Sequence, residues 1–170
     1  TWSFVLKMKQ FRNISVIDVG QDITLDPKAN DAIPITIRND GNIDNFVDLE
    51  LELIDATGNV IDTQNTNNRI EYNGWIVALF GNVEEKNIPP EGSEIIDVAF
   101  QAPDSDSGEI RVRVTIIPLG ALDKVRTVEL SSSILLVQNS SLDIISTDCQ
   151  SLLPEETCNP KFRLYNTGNF

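Results

Sequence analysis

The sequence predicts an all-β protein, an antiparallel β-sandwich of the immunoglobulin-like (Ig-like) type, from three observations. Apolar and polar residues alternate with a period of two over many short stretches, which is typical of strands with one buried face. Clusters of Gly, Pro, Asn and Asp separate these stretches at the spacing of turns. No window shows the 3.6-residue period of an amphipathic helix. Only 6% of the 170 residues are aromatic, so the core must consist mainly of Ile, Val and Leu.

The alternation is clearest over residues 33–53. The side chains that share the apolar face are Ile33, Ile35 and Ile37 in the first arm and Val47, Leu49, Leu51 and Leu53 in the second. Between the arms, residues 39–42 read Asn-Asp-Gly-Asn, which suits a chain reversal. This stretch is predicted to be a β-hairpin with one solvated face.

The other strands are predicted from the same pattern. In chain order they cover residues 1–12, 14–19, 23–25, 60–61, 75–80, 96–100, 110–116 and 126–137. Residues 62–69 are rich in Asn and Thr and are predicted to form a loop. Residues 75–80 are apolar on both faces, which predicts a central strand.

The sequence also resembles itself at an offset of 126 residues, which becomes 127 after one inserted residue. At the second offset Asn39, Gly41 and Asn42 align with Asn166, Gly168 and Asn169. Agreement at turn residues and in the phase of the apolar positions indicates tandem domains. Residues 1–12 are then the last strand of a preceding Ig-like repeat, residues 13–138 a complete β-sandwich, and residues 139–170 the start of a following, incomplete repeat.

This division leads us to expect a segment of a longer multidomain protein, because about 30 residues cannot bury a sandwich core alone. The alternative is a filament subunit that exchanges strands with its neighbours, with residues 1–12 as the donor strand.

Composition excludes some function classes. Acidic residues outnumber basic ones 26 to 13, and the net charge of −13 argues against nucleic-acid binding, which requires Lys and Arg to neutralise phosphates. No apolar run is long enough to span a bilayer. Without a single His, and with no activated Ser or Cys motif, we expect no enzyme.

The two cysteines, Cys149 and Cys158, are predicted to form a local disulfide in an oxidising, extracellular compartment. Two buried free thiols are the alternative. Their spacing does not match a zinc or redox motif.

Several of these motifs carry a family resemblance. They are the Asn-Asp-Gly-Asn turn at 39–42, Gly74-Trp75 with the apolar residues up to 79, the Ile-Pro-Pro-Glu-Gly run at 88–92, and Ala102-Pro103 followed by the Gly-Glu-Ile-Arg-Val run at 108–112. Together they resemble the S-layer-like and CARDB-type Ig-like tandem repeats of archaeal and bacterial cell-surface proteins. The resemblance implies secreted structural or adhesive modules that are often glycosylated.

Three kinds of candidate site remain. Asn13 and Asn139 begin Asn-x-Ser sequons at the same phase of the repeat, and we expect both to carry N-linked glycans. Asp104 and Asp106 are candidate calcium ligands, as are Asp40, Asn42 and Asp44, but the spacing does not match a calcium loop and favours a polar turn for each cluster. We expect no other cofactor.

Tyr72 and Trp75 could form a platform for sugar stacking, but the strand phase of Trp75 favours the core. The expected function is that of a structural Ig-like segment of an extracellular surface-layer, sheath or filament protein, with copies of itself or neighbouring repeats as partners. The alternative is an adhesive or glycan-binding module on a surface stalk.

Overall fold

A computed structural model describes residues 8–81, 83–104, 108–134, 140–146 and 161–166. Its strands are β1 (Ile14–Val19), β2 (Ile23–Leu25), β3 (Asn30–Asn39), β4 (Asn45–Ile54), β5 (Val60–Thr63), β6 (Arg69–Tyr72), β7 (Trp75–Leu79), β8 (Lys86–Ile88), β9 (Ser93–Gln101), β10 (Glu109–Pro118), β11 (Arg126–Ile134), β12 (Ser140–Ser146) and β13 (Lys161–Asn166). One turn of 3₁₀ helix, Leu122–Lys124, precedes β11. No helix among the described residues is long and apolar enough to cross a membrane.

Two sheets form an Ig-like sandwich. The first sheet has the order β1-β3-β9-β7-β6, and all of its pairs are antiparallel. The second has the order β2-β11-β10-β4-β5, with β8 beside the other half of β4. The pair of β2 with β11 is parallel, so the first segment of the chain contributes to both sheets. Alternate residues of both sheets, such as Ile35, Leu51, Val98 and Val114, meet in one aliphatic core and are fully buried.

The predicted β-hairpin of residues 33–53 is wrong. β3 pairs with β1 and β9 in the first sheet, whereas β4 pairs with β10, β5 and β8 in the second. The connection between β3 and β4 therefore crosses from one layer to the other, a distance of about 10 Å between packed sheets. A period of two shows which face of a strand is buried, but not which strand lies beside it.

Other details differ from the prediction. Residues 8–13 form no strand, and residues 1–7 lie outside the described part of the chain. The predicted loop at 62–69 shortens to residues 64–68, because β5 and β6 extend into it. The apolar run at 75–80 forms β7, which lies between β9 and β6, so the predicted central position is confirmed. Only one of its faces is fully buried: Trp75, Val77 and Leu79 are buried, but Phe80 is 64% exposed.

β12 and β13 pair with each other in a separate two-stranded sheet. Their first pairs, Ser140↔Asn166 and Leu142↔Leu164, have counterparts in Ile14↔Asn39 and Val16↔Ile37 of β1 and β3. The offset is 126 residues on one strand and 127 on the other, which are the offsets of the sequence repeat. The tandem repeat itself stays a prediction, and this shared register is an observation that supports it.

Candidate functional site

The candidate site lies at the N-terminal end of the sandwich, where the loop between the two sheets contacts the segment that precedes β1. We call residues 39–45 the arch. The side chain of Asn42 binds the incoming backbone at two places: Phe11 N donates to Asn42 Oδ1 at 2.7 Å, and Asn42 Nδ2 donates to Lys9 O at 2.9 Å. Asn42 N also donates to Phe11 O at 3.0 Å. One asparagine thus makes three hydrogen bonds to the incoming backbone, two to Phe11 and one to Lys9.

Gly41 permits this close approach. A Cβ atom at position 41 would lie 2.5 Å from Phe11 O and 3.1 Å from Asn13 N. Real Cβ atoms do not come this close to a carbonyl oxygen, so any other residue would push the incoming chain away. The requirement for glycine here comes from this backbone contact.

The first and last residues of the arch, Asn39 and Asn45, form a buried network of side-chain amide hydrogen bonds that fixes its shape. Asn39 and Asn45 are both fully buried. Asn39 Nδ2 donates to Ile43 O and Ile88 O, each at 2.8 Å, while Asn39 Oδ1 accepts from Gly41 N at 2.8 Å and from Asn45 Nδ2 at 2.7 Å. All four hydrogen-bonding positions of the Asn39 amide are therefore satisfied, which a buried polar side chain requires.

Two arginines add charge to the same end. Arg12 Nη1 donates to Asp44 O at 2.9 Å, and Arg38 Nε forms an ion pair with Asp40 Oδ1 at 3.2 Å. With Asn42 Oδ1 already bound to Phe11 N, the cluster of Asp40, Asn42 and Asp44 serves this junction. Among the residues that the structure describes, no group of three acidic, His or Cys side chains could hold a metal ion.

The chain leaves the sandwich at the opposite end. Ile134, the last residue of β11, donates its backbone N–H to Gly108 O beside the start of β10. The other end of β10, Pro118, pairs with Val47 near the arch. The ten residues of β10 separate the two ends by about 33 Å at the rise of an extended strand. Chain segments enter and leave at opposite ends of the long axis, as in modules that join end to end.

Of the predicted glycan and disulfide sites, only Asn13 lies in the described part of the chain. Asn13 is half-buried in the junction, where its carbonyl oxygen accepts from Asp40 N at 3.0 Å and from Asn45 Nδ2 at 3.3 Å. Asn139, Cys149 and Cys158 lie outside the described residues, so their predicted glycan and disulfide stay predictions.

Of the candidate calcium ligands Asp104 and Asp106, the structure describes only Asp104. Asp104 is exposed and forms an ion pair with Lys28 at 3.5 Å, and Asp106 lies outside the described residues. The positive charge beside the Asp104 carboxylate is therefore the ammonium group of Lys28.

Trp75 lies in the core and is only 3% exposed, so it does not form a surface platform with Tyr72. Tyr72 instead lines a cavity of about 450 Å³ at the C-terminal end of the sandwich, together with Pro103, Glu109 and Ile134.

A tight loop closes the same end between β4 and β5. Asp55 accepts hydrogen bonds from the side-chain oxygen of Thr57 at 2.6 Å and from the backbone N–H groups of Thr57 and Asn59 at 2.8 and 2.9 Å. The hydrogen bond from the Thr57 side chain, followed by those from Asn59, lowers the pKa of Asp55 well below its ordinary value. Asp55 is therefore a structural acceptor that organises its loop.

Sequence reasoning missed the buried pair Asn39 and Asn45 and its contact with the incoming chain. A signal was present: Asn39 continues the inward phase of Ile33, Ile35 and Ile37, and Asn45 precedes Val47 in the same phase. Polar side chains at inward positions must find partners inside the protein. Gly41, Ile43 and Asn45 are partners close to Asn39 in sequence, but Ile88 and Asn13 are distant in sequence and could not be predicted.

Comparisons with known proteins identify no family. No family model and no curated protein matches the sequence. A family 123 glycoside hydrolase from Clostridium perfringens aligns with 77% of this chain at 15% identity and a TM-score of 0.47, and the match spans 28% of the hydrolase. PapD-like domain 7 of human CEP192 aligns over 79% of this chain and 94% of the domain, at 15% identity and a TM-score of 0.40.

A CARDB domain from Pyrococcus furiosus, solved in complex with di-metal ions, aligns over 76% of this chain and 99% of the domain. Its identity is 13% and its TM-score 0.39. At these identities and scores the similarities carry no argument about function, and the Ig-like architecture follows from the strand order given above.

Proposed function

We propose that this chain is a structural segment of an extracellular surface-layer, sheath or filament protein, built from Ig-like modules in tandem. Its role is mechanical: each module transmits force along its long axis and keeps its neighbours at a fixed spacing and direction.

The arch is the observation that carries this proposal. A flexible linker would leave the backbone before β1 without ordered hydrogen bonds to the sandwich. Here Asn42 and Gly41 hold residues 9–13 against the sandwich, and the fully buried Asn39 fixes the arch from inside. A module that only presents a ligand site has no need of such a junction, whereas a spacer does.

Three further observations support a tandem arrangement. The chain enters and leaves at opposite ends of the sandwich, so successive modules would extend in a line. The pairing of β12 with β13 follows that of β1 with β3 at the offset of the sequence repeat. The Asn-x-Gly-Asn motif that forms the arch at 39–42 also recurs at 166–169.

An extracellular location is part of the proposal. It agrees with the acidic composition, the sequons at Asn13 and Asn139 and the predicted disulfide of Cys149 and Cys158. Immunogold electron microscopy of intact producing cells tests it. We expect label on the outer surface, in regular rows or layers. Label confined to the cell interior would contradict the proposal.

The adhesive or glycan-binding alternative has less support, because Trp75 is buried in the core. A glycan array probed with the full chain separates the two functions. A structural segment should show no saturable glycan binding, whereas selective binding would favour the adhesive role.

A further inference from the structure

The first segment of the sandwich, residues 14–25, is divided between the two sheets. β1 pairs with β3 in the first sheet, and β2 pairs with β11 in the second. The crossing between β1 and β2 is tightly held: Gly20 N donates to Pro34 O at 2.8 Å, and a Cβ on Gly20 would lie 2.7 Å from Cδ of Pro34. Both layers therefore bind the segment by which the chain enters the sandwich.

The pair of β2 and β11 joins this entering segment directly to the strand by which the chain leaves. The two strands run in the same direction, and the three residues of β2 pair in order with the last three residues of β11, which end at Ile134. Among the strands that the structure describes, no other pair connects residues 14–25 with β11. Load that enters at β1 and leaves at Ile134 therefore has a short path through this pair.

Side chains extend the short pair beyond its backbone ladder. Asp22 Oδ1 accepts a hydrogen bond from Ser131 N at 2.9 Å, one position before the first backbone pair. Thr24 Oγ1 and Ser133 Oγ share a second side-chain hydrogen bond at 3.2 Å. The last pair of β2 and β11 is buried in the aliphatic core. A charged acceptor, a hydroxyl pair and a buried aliphatic pair thus reinforce three backbone pairs.

The direction of load decides how these contacts break. Force along the long axis draws Asn13, at the arch, away from Ile134 at the opposite end of the sandwich. Because β2 and β11 are parallel, this force acts on the start of β2 and on the end of β11, so the strands must slide past each other. The hydrogen bonds run across the pair, and in this shearing geometry they all carry load at once. Bonds in a pair that is unzipped from one end break one after another.

We propose that the parallel pair of β2 and β11, together with Asp22, is a mechanical clamp that sets the rate at which the module unfolds under axial force. β11 is bound to β10 by eight residue pairs and to β2 by three, so the separation occurs between β2 and β11. Detachment of β1 alone leaves the entering segment bound to β11. The biological purpose of the clamp rests on the proposed structural role, because resistance to axial force matters in a module that bears load.

The test is single-molecule unfolding of the full chain at constant force, with handles at its two ends. Asp22→Ala removes the side-chain hydrogen bond to Ser131 N. This bond is broken when β2 slides, so the whole loss of stability should appear as faster unfolding. We expect an increase of about tenfold in the unfolding rate, from the usual contribution of a hydrogen bond to a charged acceptor.

Gln64→Ala is the matched control. Gln64 Oε1 accepts from Leu51 N at 2.9 Å, so it makes the same kind of side-chain bond at the opposite edge of the second sheet. This bond lies off the load path and is still intact when β2 slides, so its loss should leave the rate of unfolding under force unchanged. Each change in rate is compared with the loss of unfolding free energy that the same variant shows in urea. If both variants convert that loss into faster unfolding to the same extent, the clamp does not lie between β2 and β11.

The direction of pulling provides a second test. Asp26 is exposed and directly follows β2, at the same end of the pair as Ile134. A handle at position 26, in place of the N-terminal handle, pulls this end of β2 sideways from β11 and unzips the pair. Unfolding should then require a lower force than pulling from the two chain ends. Equal forces in the two directions would overturn the proposal, and the cell-surface test of the proposed function depends on neither result.

Discussion

The carbonyl oxygen of Phe11 lies where the side chain of residue 41 would begin, 2.5 Å from the position of a Cβ on Gly41. Phe11 precedes the first strand, and Gly41 belongs to the arch between the two sheets. This contact joins the incoming chain to the sandwich without a large apolar interface. A single methyl group added at position 41 would therefore disturb the junction.

Gly41→Ala should therefore displace residues 9–12 and lower the free energy of unfolding by about 1–3 kcal/mol, the usual cost of inserting a methyl group into a closed contact. Urea unfolding measures the loss, and amide shifts of residues 9–12 report the displacement. Gly108→Ala is the control, since its Cβ would meet only Trp75 Nε1, at 3.9 Å. Equal stability of the two variants would contradict this account of Gly41.

Asn39→Asp should destabilise the sandwich by about 3 kcal/mol at neutral pH, because a buried carboxylate would face the carbonyl oxygens of Ile43 and Ile88 that now accept from the amide. Burial raises the pKa of the introduced carboxyl, so the folded state binds its proton more tightly. The loss should then diminish as the pH falls towards 4.

Urea unfolding at pH 7 and pH 4 checks this prediction. The exposed Asn87→Asp variant is the control and should match the wild type at both pH values. A pH-independent loss in Asn39→Asp would show that charge burial is not its cause.

Ser132→Ala should stabilise the protein by about 1 kcal/mol. Ser132 is 1% exposed, and its Oγ has no hydrogen-bond partner among the described residues. Removing a buried hydroxyl that lacks a partner also removes its desolvation penalty. The melting temperature should rise.

The neighbouring variant Ser133→Ala is the comparison. It should lower the melting temperature, because it loses the 3.2 Å hydrogen bond between Ser133 Oγ and Thr24 Oγ1. A fall in melting temperature for Ser132→Ala would indicate that its hydroxyl has a partner in solution.

Asp55 should contribute to stability in a pH-dependent way. Its pKa in the folded protein is lowered below the unfolded value of about 4, so the unfolded state takes up the proton first. This contribution is fully present above pH 4 and is lost as the pH falls through the folded pKa. Asp55→Asn cannot titrate here, so between pH 4 and pH 2 its unfolding free energy should fall less steeply than that of the wild type. Parallel slopes for the two proteins would contradict the role given to Asp55.

The sequence predicted the class of fold and most strands because inward and outward positions alternate visibly, as in Ile33 to Ile37 and Leu49 to Leu53. It did not predict that these two runs lie in different sheets, since strand pairing depends on partners such as β9 and β10 that are distant in sequence. The turn chemistry of residues 39–42 was visible, but the role of the turn was not. That role depends on a contact between Asn42 and residues 9–11, which no local pattern records.

The most direct test of the central claim is the backbone order of Lys9 to Arg12 in the full chain, measured by ¹⁵N relaxation. If the arch holds the incoming segment, order parameters there should match those of the strands, at about 0.85, and fall below about 0.6 in Asn42→Ala. Values below about 0.6 in the wild type, or no change on substitution, would contradict a rigid junction held by Asn42.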